Sequence, residues 1–265
     1  MAKSLEKKLE ERFVKAMATY HLIDDDDRIL VGLSGGKDSL CLLELLAKRS
    51  KILHPRFEVA AVHVRMGNIS YESDTSYLQR FADDLGVRLY VRETSFDAST
   101  DRRKTPCFLC SWYRRKELFN LAQELGFNKI ALGHHQDDLI HTTLMNLFYQ
   151  GRFEAMPIKL KLDKMPLTII RPLCLIKESD LVAYAELRGY EKQKTLCPYD
   201  KETQRAEIKR LFDNIEEMNS EARANIWRAL NKKKKKNKIA ASQRMSAAPQ
   251  HTKSMLLSAF GLHHI

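Results

Sequence analysis

The chain has 265 residues, 44% of them hydrophobic and 30% charged, enough for one large α/β domain with a smaller appendage. No stretch approaches the roughly 18 apolar residues a membrane-spanning helix needs, and the opening MAKSLEKKLEERF lacks the apolar core of a secretory signal, so a cytoplasmic protein with no membrane partner is expected. Lys and Arg number 45 against 34 Asp and Glu, a net charge of +11 that suits a polyanion, although the run Lys232 to Lys236 alone supplies five of those charges.

In chain order, Leu5, Leu9, Phe13 and Met17 recur every four residues and predict an amphipathic helix over 4–20. An acidic turn follows at Asp24 to Asp27. Ile29, Leu30, Val31 and Leu33 read as a buried strand, and Leu40, Leu42, Leu43 and Leu46 as a helix face beyond it. FEVAAVHV (57–64) reads as a second strand, then a helix near 72–85 and the strand VRLYVRE (87–93). A helix over 108–125 leads into KIALGHH (129–135), a strand ending in a loop. Alternation of strand and helix, with connections long enough for right-handed crossovers, predicts an α/β fold with a doubly wound, largely parallel sheet. Past residue 150 the pattern weakens: LTIIRPL (167–173) gives one more strand ended by Pro172, then come a helix over 177–188 and two closing helices over 200–218 and 220–231. The expected organisation is an N-terminal helix (1–27), a main domain (28–190), a C-terminal helical segment (191–231) and a basic, mobile tail (232–265).

Between the first strand and its helix lies Ser34-Gly35-Gly36-Lys37-Asp38-Ser39. Paired glycines let the backbone turn tightly, so the amides of the turn and of the helix N-terminus can converge on an anion, with phosphate the natural guest. The spacing is not that of a Walker A loop, since Asp38 follows the lysine directly. Ligands of such a sheet bind beyond the carboxyl ends of its strands, where the loops at 34–39 and 133–138 both fall.

The five cysteines do not form a disulfide framework in a reducing compartment. Cys41 and Cys174 lie in apolar segments and read as core residues. Cys107-Phe108-Leu109-Cys110 is a CxxC, and Cys197 stands in a loop with no packing reason for a thiol. Three such thiols, the third 90 residues after the first, can hold a 4Fe-4S cluster by three corners and leave the fourth iron open. Zinc with a histidine as fourth ligand, or an oxidisable CxxC, are the alternatives.

The loop SGGKDS is similar to the pyrophosphatase loop of the N-type ATP pyrophosphatases, which split ATP into AMP and pyrophosphate. Taken with CFLCSWYRR (107–115), LGHHQDD (132–138), NLFYQGR (146–152) and the later Cys197, it resembles the tRNA 2-thiocytidine synthetase family over roughly residues 1–215. Those are PP-loop enzymes that thiolate an anticodon-loop cytidine. The resemblance implies an ATP site at Ser34, Gly35, Gly36, Lys37, Asp38 and Ser39, with His63 and Gly133 counted alongside. It implies cluster ligands at Cys107, Cys110 and Cys197, Asp137 and Asp138 as candidates for Mg²⁺ or the catalytic network, and Lys37, Asp38, Asp137 and Arg114 in catalysis. Arg114 and Arg115 fall one helical turn beyond Cys110, placed to hold substrate phosphate or developing charge. His134 and His135 read as packed loop residues rather than metal ligands, since hard aspartate oxygens suit Mg²⁺. Implied partners are tRNA and a sulfur donor such as a cysteine desulfurase, with a homodimer among the allowed assemblies. Two departures stand out: family members commonly carry a glutamate where this chain has His141, and a second cysteine shortly after the position of Cys197.

Four other readings account for part of these signals. Uridine thiolation differs only in the base. An adenylyl-sulfate-reductase-like oxidoreductase would need Gly and His beside its cysteine, which Cys197 lacks. A lysidine-type or small-molecule ligase leaves the CxxC idle, and a non-catalytic Fe-S RNA-binding protein leaves SGGKDS unused.

Overall fold

The structure is a computed structural model that describes residues 2–68, 74–97, 105–191 and 204–232. Six strands form one sheet in the order β3-β2-β1-β4-β6-β5. These are β1 (Asp27–Gly32), β2 (Phe57–Met66), β3 (Arg88–Thr94), β4 (Lys129–Ala131), β5 (Lys159–Lys161) and β6 (Thr168–Ile170). All pairs are parallel except β5 with β6, as the alternating pattern predicted. The helices are α1 (Ala2–Tyr20), α2 (Lys37–Ser50), α3 (Thr75–Leu85), α4 (Pro106–Glu124), α5 (Gln136–Gln150), α6 (Glu178–Arg188), α7 (Gln204–Met218) and α8 (222–232). Among the described residues no helix is long and apolar enough to cross a membrane.

The chain divides into two compact units. The first holds Met1–Leu139 and Pro157–Thr203, and the second Ile140–Met156 with α7 and α8. In the first unit, α2 is buried along nearly its whole length, with Leu40, Leu42, Leu43 and Leu46 inaccessible, which is why its sequence reads as apolar on more than one face. Leu30, Val62, Leu118, Leu121 and Ile130 build the core between sheet and α4. Cys41 and Cys174 are fully buried, as their apolar neighbours required. In the second unit, Ile140, Leu144, Ile208 and Phe212 form a small core of their own.

Several expected boundaries move. The strand expected over 129–135 stops at Ala131, because Gly133 to His135 turn into the start of α5. The strand expected over 167–173 is only Thr168–Ile170, and its partner β5 gave no sequence signal. Three residues reading Lys-Leu-Lys, with only the middle one facing inward, carry too few apolar side chains to stand out at a sheet edge. Helix α4 starts earlier than expected because Thr105 caps it, its side chain accepting the Phe108 N–H at 3.3 Å, and Pro106 occupies the first turn. Cys197 and the tail beyond residue 232 lie outside the described residues.

Strand order reverses between β1 and β4, since β1 leads outward to β2 and β3 while the chain after β3 returns to the far side of β1. A crevice opens at such a switch point beyond the carboxyl ends. The loops after β1 and β4 flank it, and α4 begins at the same edge because it follows β3.

Candidate active site

The first loop is anchored before it begins. Leu33 donates its N–H to the Val62 carbonyl at 2.8 Å, and its own carbonyl lies 2.7 Å from Nδ1 of His63. A carbonyl only accepts, so His63 is the Nδ1–H tautomer. Burial lowers the pKa of this ring, with Arg114 and Arg65 acting in the same direction, so it is neutral at pH 7. His63, assigned to the nucleotide site, thus holds the backbone from which the loop springs.

Within the loop, Gly35 has φ +87°, a left-handed conformation that a side chain disfavours. Ser39 closes the turn: its Oγ accepts the Ser34 N–H at 3.2 Å, donates to the Gly36 carbonyl at 2.9 Å, and lies 3.1 Å from Ser34 Oγ. Lys37 is the first residue of α2, so the unsatisfied N–H groups and positive dipole end of the helix open into the crevice. Lys37 Nζ reaches Asp38 Oδ2 at 3.2 Å and Glu178 Oε1 at 3.3 Å. Burial raises the Asp38 pKa against the pull of Lys37 and His135, and its buried Oδ1 has no hydrogen-bond partner among the described residues.

The second loop packs directly on the first. A Cβ on Gly133 would lie 3.1 Å from the Asp38 carbonyl carbon and the Ser39 nitrogen, so the approach of the two backbones requires glycine there. Asp138, in the first turn of α5, accepts the His135 N–H at 3.1 Å and so caps its own helix. Asp137 accepts the Glu178 N–H at 2.8 Å, at the start of α6. The His135 imidazole sits among three carboxylates: Asp138 at 3.5 Å, Asp137 at 3.7 Å and Asp38 at 4.0 Å. Burial opposes its charge, but the nearby carboxylates of Asp137, Asp138 and Asp38 prevail, and its pKa is raised. His134 is half-buried.

Asp38, Asp137 and Asp138 each approach the His135 ring beside the phosphate-type loop, and carboxylate oxygens of this kind are the donors a hard cation takes. No group of three or more His, Cys, Asp or Glu side chains stands ready as a metal site among the described residues. Cys107 and Cys110 occupy the first turn of α4, three residues apart and so on one face. Cys107 is exposed, and Cys110 packs against the cluster of Met66, Phe96 and Leu109 at the ends of β2 and β3. Two thiols on one turn suit a soft metal, and the third sequence-assigned thiol, Cys197, falls outside the described residues.

Two residues went unnoticed in the sequence. Glu178 meets Lys37 from 141 positions away, and Arg171 ends up just past β6 with only 8% of its surface exposed. Burial, seconded by Arg115, lowers the Arg171 guanidinium to about 10, with Asp138 opposing. Its Nη1 donates to the Pro157 carbonyl, and its buried Nε has no partner among the described residues. An isolated arginine before a proline and a glutamate opening a helix carry no local signal. Only the sheet order brings them to the crevice.

Residues 1–215 match the PP-loop domain family. The chain is 38% identical over 233 residues to the tRNA-cytidine(32) 2-sulfurtransferase of Bordetella avium, covering 86% of this chain and 72% of that one. It is 39% identical over 214 residues to the protein of the same name from Aliivibrio salmonicida, covering 79% and 69%. The chain belongs to the tRNA 2-thiocytidine synthetase family. Among solved structures, the U34-tRNA thiolase NcsA from Methanococcus maripaludis, determined with its 4Fe-4S cluster, is similar at TM-score 0.74 and 25% identity, over 88% of this chain and 79% of that one. In this member of the family, His141 is buried in the second unit with its ring edge-on to Phe212, centroids 5.8 Å apart. The departure from glutamate therefore places an imidazole against an aromatic core residue.

Proposed function

We propose that the protein is a cytoplasmic tRNA thiolase that spends ATP to replace the C2 oxygen of an anticodon-loop cytidine with sulfur. The observation that carries this reading is the meeting of two motifs distant in sequence. SGGKDS and GHHQDD touch at Gly133 on the sheet edge where α4 presents Cys107 and Cys110. A nucleotide loop alone serves many reactions, and thiols alone many metals; their common edge joins activation to sulfur transfer.

The C2 oxygen of cytosine is a poor leaving group, so it is first adenylated: the oxygen attacks the α-phosphorus of ATP and pyrophosphate departs. The amides at the N-terminus of α2 and the Lys37 ammonium hold the β- and γ-phosphates and stabilise the charge that develops on them. Lys37 is already positioned by Glu178 and Asp38. Asp137 and Asp138 would hold a Mg²⁺ ion, which when bound screens the phosphate charge. Sulfide, from a donor such as a cysteine desulfurase, then adds at C2, loses its proton and expels AMP, leaving the C2–S bond. Cys107, Cys110 and Cys197 would hold a 4Fe-4S cluster, which supplies an open coordination position for sulfur. Arg114, one turn after Cys110, would hold substrate phosphate or the negative charge of the departing AMP.

The test is a deletion strain analysed by nucleoside mass spectrometry. Bulk tRNA should lose 2-thiocytidine, while the purified protein with Mg²⁺ and tRNA forms AMP and pyrophosphate and Lys37→Ala forms neither. ADP and phosphate as products, or an unchanged nucleoside profile, would remove the assignment. The likeness to a U34-tRNA thiolase favours uridine as the second reading, and loss of 2-thiouridine instead would select it.

A further inference from the structure

Helix α4 presents more at the crevice edge than its two thiols. Phe108 and Trp112 are each 42% exposed and four residues apart, so they share one face, one turn from each other. Lys116 continues that face, its Nζ 5.5 Å from the centre of the Trp112 ring. The opposite side of the same turns is anchored. Leu109 and Cys110 pack with Met66 and Phe96, Tyr113 stacks on Phe96 at 6.3 Å, and Trp112 rests edge-on against Tyr113 at 4.9 Å. The two exposed rings therefore stand on a fixed base and need little ordering to receive a partner.

Along the sequence, between Asp101 and Glu117, the charge has one sign. From Arg102 to Lys116 the sequence contains Arg102, Arg103, Lys104, Arg114, Arg115 and Lys116 and no Asp or Glu. A single exposed aromatic is ordinary. Two on one turn, in fifteen residues with six cations and no acid, combine the elements of a single-strand nucleic-acid surface: π-faces for bases and cations for phosphates. A protein partner would have to bring a strongly acidic surface that also filled two flat, separated rings. RNA brings both features in one polymer.

We propose that the Phe108–Trp112 face of α4 is a stacking platform for unpaired bases of the RNA substrate, holding nucleotides beside the target base next to the cysteine pair. This rests on the tRNA-thiolation reading. Sequence-tolerant stacking would fix where the loop lies, while Arg114, Arg115 and Lys116 hold its backbone, and neither element reads base identity.

Trp112 and Trp227 are the chain's two tryptophans, so a full-length Trp227→Phe protein reports on Trp112 alone. Titration with an unmodified tRNA transcript should quench its emission. Trp112→Ala and Phe108→Ala should each weaken RNA binding by on the order of tenfold, as expected for loss of one stacked base. Trp112→Phe should stay close to the parent, and Tm and the visible absorbance of the anaerobic protein should not move. Emission indifferent to tRNA, with Trp112→Ala binding like the parent, overturns the platform while leaving thiolation standing. Quenching by a cysteine desulfurase but not by tRNA overturns it in favour of a protein-docking face. Should the parent bind no tRNA, the thiolation reading fails first and the platform with it.

Discussion

Gly133 and His135 show how closely single residues set the geometry of the crevice. The contacts a Cβ would make at Gly133 are with backbone atoms of Asp38 and Ser39, which cannot swing aside as a side chain would. Gly133→Ala should therefore push the two loops apart, destabilising the fold by about 1–3 kcal/mol, the usual cost of overpacking, and raising KM for ATP; a variant with wild-type KM and Tm would show that the loops do not depend on this approach. His135 yields a pH signature. Its folded pKa is raised above the ordinary 6.5, so its contribution to stability is complete below about 6.5 and is lost as pH rises through the folded value. In metal-free buffer the urea midpoint of the wild type should fall between pH 6 and pH 9, and that of His135→Asn should fall less. Parallel profiles for the two proteins would assign the pH dependence to other groups.

At the scale of elements, α2 and α6 are joined by a buried carboxylate. Glu44 is 1% exposed and accepts from Tyr190 Oη, and from Tyr184 Oη, Lys48 and Arg188 at 3.0 Å each. Burial opposes its ionisation, but Tyr190 and Lys48 outweigh burial and its pKa is lowered, so it is charged at neutral pH. Removing the carboxylate takes this acceptor from two hydroxyls and from Arg188, while Lys48 keeps Glu6 and Glu10 within 4 Å. Glu44→Ala should cost about 3–5 kcal/mol, as when one member of a buried ionic network is deleted, and Glu44→Gln less, both measured by urea unfolding. The damage should reach the site, because α6 begins with Glu178, which meets Lys37. KM for ATP should rise in Glu44→Gln at temperatures where the protein is still folded; an unchanged KM would confine Glu44 to stability.

Across the whole molecule, the charge is unevenly spread along the sequence. Residues 233–265 contain seven Lys or Arg and no Asp or Glu, so most of the net charge of +11 lies beyond the last described helix. A chain ending at Lys232 should bind tRNA more weakly at low salt, with a shallower salt dependence, while still forming AMP from ATP. Equal salt slopes for the two lengths would place the phosphate contacts elsewhere. The sequence by itself determined the order of strands and helices up to Ala131, the phosphate-type turn at 34–39, the core positions of Cys41 and Cys174 and the family, because each is written in local periodicity or in motifs a few residues long. What it could not hold were contacts made by sheet order alone. The carboxylate of Asp137 lies in a readable motif, but its bond to the Glu178 N–H, 41 residues on, emerges only when β4 pairs between β1 and β6. Arg171, Glu178 and β5 were invisible for the same reason: a lone charged residue or a three-residue edge strand becomes meaningful only through neighbours that tertiary packing supplies.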